Sequence, residues 1–177
     1  MACVKHLLHF LAAVTLLAAC KKEDGTADAL GSGGGCGTIT GFSMVDVNGA
    51  AIMPPDTTDW RTTDTWCPWA EALFADLPAV TWVDTALNEP AIAGYPNPCS
   101  DEFAMWFGND TTARVDLRII NQASQLVYSR DSIAYHQMQI QTDGLGVTNG
   151  QLFRIYYRIV HPDGTAHRGH GDMKKVG

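Results

Sequence analysis

Positive charge is in short supply in this chain. Its 177 residues hold 12 Lys and Arg against 19 Asp and Glu, a formal net charge of −7. A balance of that sign offers no electrostatic footprint for nucleic acid, which is excluded as a partner. Long apolar runs are missing too. The one sustained stretch, Leu7 to Leu17, is too short for a membrane span. Cysteines are few (Cys3, Cys20, Cys36, Cys67 and Cys99), and none follows a zinc-type spacing. No nucleophile elbow, phosphate loop or zinc-protease helix occurs. Ser, His and Asp side chains are present, but nothing in their spacing fixes them near one another. These absences favour a non-catalytic protein that uses no cofactor.

What is present begins with an export leader. Lys5 supplies a positive flank, Leu7 to Leu17 the apolar run, and Leu17-Ala18-Ala19-Cys20 a close of small residues before a cysteine. Residues 1–19 read as a signal peptide, and "LAAC" resembles the lipobox of bacterial lipoproteins. That resemblance implies a lipid on Cys20 and, through it, a membrane as partner. Residues 20–37 are rich in Gly, Ala, Ser and charge, so they read as a flexible tether. Within them Lys22-Glu23-Asp24 resembles the signal that sends Bacteroidetes lipoproteins to the outer face of the outer membrane. The plain alternative is linker solubility. In an oxidising compartment Cys36, Cys67 and Cys99 allow one disulfide and one leftover thiol, in three pairings.

The chain after the leader is long enough for one medium domain or two small ones. Its first part, residues 38–89, opens with "TITGFSMVDVNGAAI", a strand and a turn at Asn48-Gly49. The stretch "DTTDWRTTDTWCPWAEALFADL" then holds three tryptophans, four aspartates and a short helix. Pro68 suits the first helical position, with Trp69, Ala72 and Leu73 on one face. The residues before the helix have no clear period, and the segment is expected to pack on the strands C-terminal to it. Asp56, Asp59 and Asp64 beside Trp60 and Trp66 have the chemistry of a calcium or glycan site. The plain reading makes the aspartates turn caps and the tryptophans plugs at a sheet edge.

Residues 90–177 are strand-like throughout. "EFAMWF" is a candidate strand. "ARVDLRIIN" alternates Val115, Leu117 and Ile119 against Arg114, Asp116 and Arg118, which predicts one buried and one wet face. "SQLVYSR" comes next. "YHQMQIQT" sets Met138 and Ile140 against glutamines, and "QLFRIYYRIV" keeps Phe153, Ile155, Tyr157 and Ile159 in phase. The fold class is therefore mainly β, an immunoglobulin-like antiparallel β-sandwich preceded by an irregular Trp/Asp-rich segment with one short helix. "HPDGTAHRGHGD" offers His161, His167, His170 and Asp172. On an extended strand His170 and Asp172 share a face and have the chemistry to bind zinc. The plain reading is a glycine-punctuated hairpin and edge with histidines facing water.

Together, "GYPNPCSDEFAMWF", "VDLRIINQASQLVYSR", "MQIQT", "LFRIYYRI" and "MKKV" resemble the C-terminal sorting domains of the type IX secretion system, in the YPNP-type form. The resemblance runs from about Gly94 to Gly177. It implies a seven-stranded sandwich, with Tyr95, Pro96, Asn97, Pro98, Ser100 and Asp101 as the opening signature and Lys174 and Lys175 as the basic close. It also implies envelope or secretion-system proteins as partners. Three functions remain open. One is a lipid-anchored, non-catalytic envelope protein with structural or adhesive work, at the cell surface of the outer membrane. Another is a secretion cargo whose C-terminal domain is removed, and the third a glycan- or calcium-binding surface module. If a disulfide forms, the expected pair is Cys67 with Cys99, because each flanks an ordered feature, a helix start and a rigid proline lead-in. Otherwise Cys99 packs as a small hydrophobe.

Overall fold

The computed structural model describes residues 37–54, 56, 59–62, 66–83, 92–108 and 112–177. The elements in chain order are β1 (Arg61–Thr62), α1 (Pro68–Ala72), β2 (Thr81–Trp82), β3 (Ile92–Tyr95), β4 (Glu102–Phe107), β5 (Arg114–Asn121), β6 (Leu126–Ile133), β7 (Gln137–Gln141), β8 (Leu152–Val160) and β9 (Thr165–Lys174). Alternation drives the strands to a common interior. Phe103, Met105 and Phe107 of β4 meet Val115, Leu117 and Ile119 of β5. Ile140 of β7, Phe153, Ile155, Tyr157 and Ile159 of β8, and Met173 of β9 join the same cluster. Each fully buried side chain of this size contributes roughly 1.5–3 kcal/mol.

Two sheets enclose that cluster. The smaller runs β3-β4-β7 and the larger β9-β8-β5-β6, with neighbouring strands antiparallel. Lettered in chain order from Ile92, these are an A-B-E sheet facing a G-F-C-C′ sheet, the immunoglobulin-like arrangement. The proline lead-in ends β3, which lies on a sheet edge, where a residue without an amide hydrogen breaks no ladder. The expected turn at Asn48-Gly49 forms. Asp46 Oδ1 accepts from the Asn48 and Ala50 amides, Gly49 takes a left-handed φ of 79°, and Val45 bridges Ala51.

The outward face of the larger sheet differs from expectation. Arg114 is exposed as expected, but Asp116, Arg118, Arg154, Arg158 and Arg168 are all buried, Arg118 to 2% exposure, so most of this face is not wet. Two physical reasons apply. The N-terminal residues lie over it: Trp66, Ala70 and Phe74 pack on Ile120 and Tyr156, and Arg118 Nε donates to the Leu73 carbonyl at 2.8 Å. Each buried guanidinium is also paired. Arg158 Nε donates to Asp116 at 2.6 Å, Arg168 to Glu71 at 2.9 Å, and Arg118 to Asp76 and Asp131. A buried charge is tolerable only with such partners. The helix packs Trp69 and Leu73 inward as expected, but not Ala72. Ala70 is fully buried and Ala72 exposed, since one and a half turns leave the flanking Trp66 and Phe74 to set its orientation.

The second difference is β9. "TAHRGHGDMK" is the longest strand, ten residues, rather than a hairpin with water-facing histidines. It pairs with β8 along its length, with β1 antiparallel and with β2 parallel. Its glycines serve close approach instead of turning. A Cβ on Gly171 would collide with the Trp60 indole, and one on Gly169 with the Arg61 carbonyl and the Tyr157 ring.

Candidate functional site

The opening signature and the basic close meet in space. Asn97, fully buried, sits where the lead-in leaves β3. Its Nδ2 donates to the carbonyls of Ser43 and Asp172, both at 2.8 Å, and its Oδ1 accepts from the Lys174 amide at 3.0 Å. Its backbone exchanges two further hydrogen bonds with Val45. One amide side chain thereby ties the N-terminal segment, the lead-in and β9 together. Two residues on, the Cys99 amide donates to the Lys174 carbonyl, and Val176 donates back to Cys99. The carbonyls of Ser100 and Asp101 accept from Thr142, from its hydroxyl and its amide respectively. Both X–Pro bonds of the signature, before Pro96 and Pro98, are cis. Lys174 Nζ lies over the Phe42 ring, and Lys175 Nζ pairs with Asp143 at 2.9 Å. The tyrosine ring of the signature packs near Gly49 of the N-terminal hairpin.

Beside this latch lies a buried polar cluster on the covered face of β9. Arg154 grips Asp172 with two hydrogen bonds, Nε to Oδ1 at 2.6 Å and Nη2 to Oδ2 at 2.7 Å. Asp59 accepts the Ser43 amide at 2.8 Å and the Asp172 amide as well. Burial pushes the Asp59 carboxyl up to about 6 despite those donors, with the Asp172 charge adding to the rise. Burial likewise raises Asp172, with Arg154 pulling against it. It lowers His170 to about 4, helped by the nearby Arg154 charge. The His170 Nδ1 atom has no hydrogen-bond partner among the described residues. These groups are shut away from solvent, and their geometry is that of a fastening.

His170 and Asp172 do share a face, as the two-residue spacing requires, but Asp172 is engaged by Arg154. Among the described residues no group of three or more His, Cys, Asp or Glu is placed to hold a metal ion. Trp60 and Trp66 are packing groups. The first covers Gly94 and Gly171, and the second stacks on Phe74 at 4.8 Å. Asp64 lies outside the described residues, as do Cys20 and the Lys22-Glu23-Asp24 run.

The expected Cys67–Cys99 bridge is not formed. Cys99 is a free, fully buried thiol, pushed up to about 11 by burial. Cys67 is disulfide-bonded, but not to Cys99. The physical reason is placement: Cys99 is locked against Lys174 and Lys175 by backbone hydrogen bonds, whereas Cys67 caps α1 on the far side of the larger sheet. Sequence reasoning missed Ser43 and Arg154, which complete the latch; of the two readings open for Asp59, its hydrogen bonds to backbone amides fit the plain one, a carboxylate that caps chain rather than binding an ion or sugar. The only signal for Arg154 was its place one residue out of phase with the apolar set of β8. The chain matches no protein family and no curated protein.

Proposed function

We propose that this protein is a lipid-anchored, non-catalytic component of the cell envelope, with Cys20 as the lipid site and structural or adhesive work done by its β-sandwich. The observation that carries this reading is the integration of the N-terminal segment with the sandwich. β1 and β2 extend the larger sheet at β9, and Asn97 and Asp59 stitch residues 43–59 to it. Loops from 66–78 also supply carbonyls and a carboxylate to Arg118, Arg158 and Arg168. Removing residues before the lead-in would strip these partners from Arg118, Arg158 and Arg168 and bare the Ile120 and Tyr156 surface that Trp66 and Phe74 cover, a loss of apolar burial on the order of several kcal/mol. That weighs against the cargo reading, in which the C-terminal module is a detachable tag. The likeness to sorting domains remains the basis for envelope or secretion-system partners. It gains support from the contact between the YPNP-type signature and Lys174 and Lys175.

Intact-mass spectrometry of the protein taken from cell envelopes tests the reading. The expected species begins at an acylated Cys20 and retains Gly177. A chain ending near residue 90 would establish the cargo reading instead. Cys20→Ala should move the protein from the detergent phase to the aqueous phase, because the tether itself is hydrophilic.

A further inference from the structure

The two sheets differ in what covers them. The larger is roofed by the N-terminal layer, whereas the outward face of β3-β4-β7 is left open along Trp106, Gln137 and Gln139, with Val47 and Gly49 of the N-terminal hairpin beside Tyr95 at one corner. The register lays that face out as a grid. Ala93, Trp106 and Gln137 form one row, Tyr95, Ala104 and Gln139 the next, and Glu102 and Gln141 the last. The two alanines leave a floor between taller side chains, and a groove of about 370 Å³ runs there, bordered by Tyr95, Pro96, Glu102, Gln137 and Gln139. Trp106, 41% exposed, is not part of the groove's lining but sits next to it, as the cross-strand neighbour of Gln137. The benzo edge of its indole lies over Gly108, where a Cβ would collide with it, so backbone supports one side of the ring. No aromatic or cationic side chain among the described residues stacks on the other.

We infer that this face is a binding site for a neutral glycan, with Trp106 as the platform for a sugar ring and Gln137 and Gln139 as its polar readers. Charge selects the ligand class. Glu102 is the sole charged side chain in the grid, and its Oε2 is occupied by Gln141 Nε2 at 2.7 Å. The chain as a whole carries −7. An anionic ligand meets no cation here and is repelled by the Glu102 carboxylate, while a cationic one is offered that single carboxylate at the rim, with one oxygen already engaged by Gln141. The Gln137 and Gln139 side chains make no hydrogen bond among the described residues, and each amide offers both donors and an acceptor, the complement of sugar hydroxyls. An aromatic face suits the C–H side of a pyranose. A protein partner would want several aliphatic or aromatic anchors seated in pockets; the strand positions of the grid hold no Leu, Ile, Val or Met, and the exposed Val47 at the groove's border is the one branched aliphatic side chain lining it.

The inference rests on the adhesive part of the proposed function and gives it a ligand class. It is tested on purified protein, so a failed lipid anchor and a failed ligand are told apart. The probe is an array of neutral hexose oligosaccharides of three or more units beside uronic-acid and sialylated ones, followed by calorimetry with the best neutral binder. The expected result is binding to neutral members that is unchanged between low and high salt. Trp106→Ala should weaken it tenfold or more, and Gln139→Ala severalfold. Tyr135→Ala, exposed but outside the grid, should leave it unchanged. Binding restricted to acidic members, no binding to any neutral member, or full binding by a folded Trp106→Ala would each overturn the inference. Should Trp106→Ala misfold, an unaltered affinity in the Gln137→Ala/Gln139→Ala double variant overturns it equally.

Discussion

Replacing Asn97 by alanine should cost the protein a large fraction of its stability. The side chain is fully buried and makes three hydrogen bonds, two donated to the Ser43 and Asp172 carbonyls and one accepted from the Lys174 amide. Alanine removes all three at once and leaves those backbone groups without a partner in a closed site. Each unsatisfied buried group costs about 1–3 kcal/mol, and water entering the vacated volume recovers part of that. The expected loss is roughly 3–5 kcal/mol, against a total of about 5–15 kcal/mol for a domain. Urea unfolding followed by tryptophan fluorescence reads it as a lower midpoint with an unchanged slope. Asn48→Ala, at the exposed hairpin turn, is the control and should shift the midpoint far less. A loss below about 1 kcal/mol in Asn97→Ala would mean that the signature is not a fastening and does not hold the N-terminal segment to the sandwich.

Four further outcomes are expected. The described body should unfold in one transition, because the N-terminal layer supplies partners to buried charges of the sandwich; two separated transitions would contradict that. Acid response should split between two groups. The folded His170 value of about 4 lies below the roughly 6.5 of an unfolded histidine, so its contribution is lost as pH falls through that window. Asp59, raised to about 6 from 3.8, works oppositely and gains as pH falls from 6. Asp59→Asn should therefore show a steeper stability loss than wild type between pH 6.5 and 4.5, and equal slopes would refute the assignment. Cys99 should resist alkylation until denaturant unfolds the protein, given its burial and raised pKa. Non-reducing peptide mapping should find Cys67 joined to Cys36, since the lipoprotein reading removes Cys3 with the leader and gives Cys20 to the lipid. A Cys67–Cys99 peptide would oppose both statements.

Much of the sandwich is legible in the sequence because a strand's period is a local property of the chain. Val115, Leu117 and Ile119 fall on one side whatever the rest of the protein does, and so do Phe153, Ile155, Tyr157 and Ile159. Pro68 at the start of α1 and Asn48-Gly49 at the hairpin turn come from equally local constraints on φ. The acidic balance is likewise a property of composition alone.

The opposite side of those strands was decided by tertiary structure. Arg118 reads as solvent-facing because a lone guanidinium belongs in water. It is buried because Leu73 and Asp76, some 45 and 42 residues away, come to meet it. Arg154 and Asp172 are separated by 18 residues, and Asp59 and Asp172 by 113. The glycines of β9 read as punctuation of a hairpin and edge because glycine is the residue of turns, yet Gly171 is small so that Trp60 can lie against the strand. A period survives in any short window, but a partner that neutralises a buried charge, or a ring that needs an empty Cβ, exists only once distant segments have met.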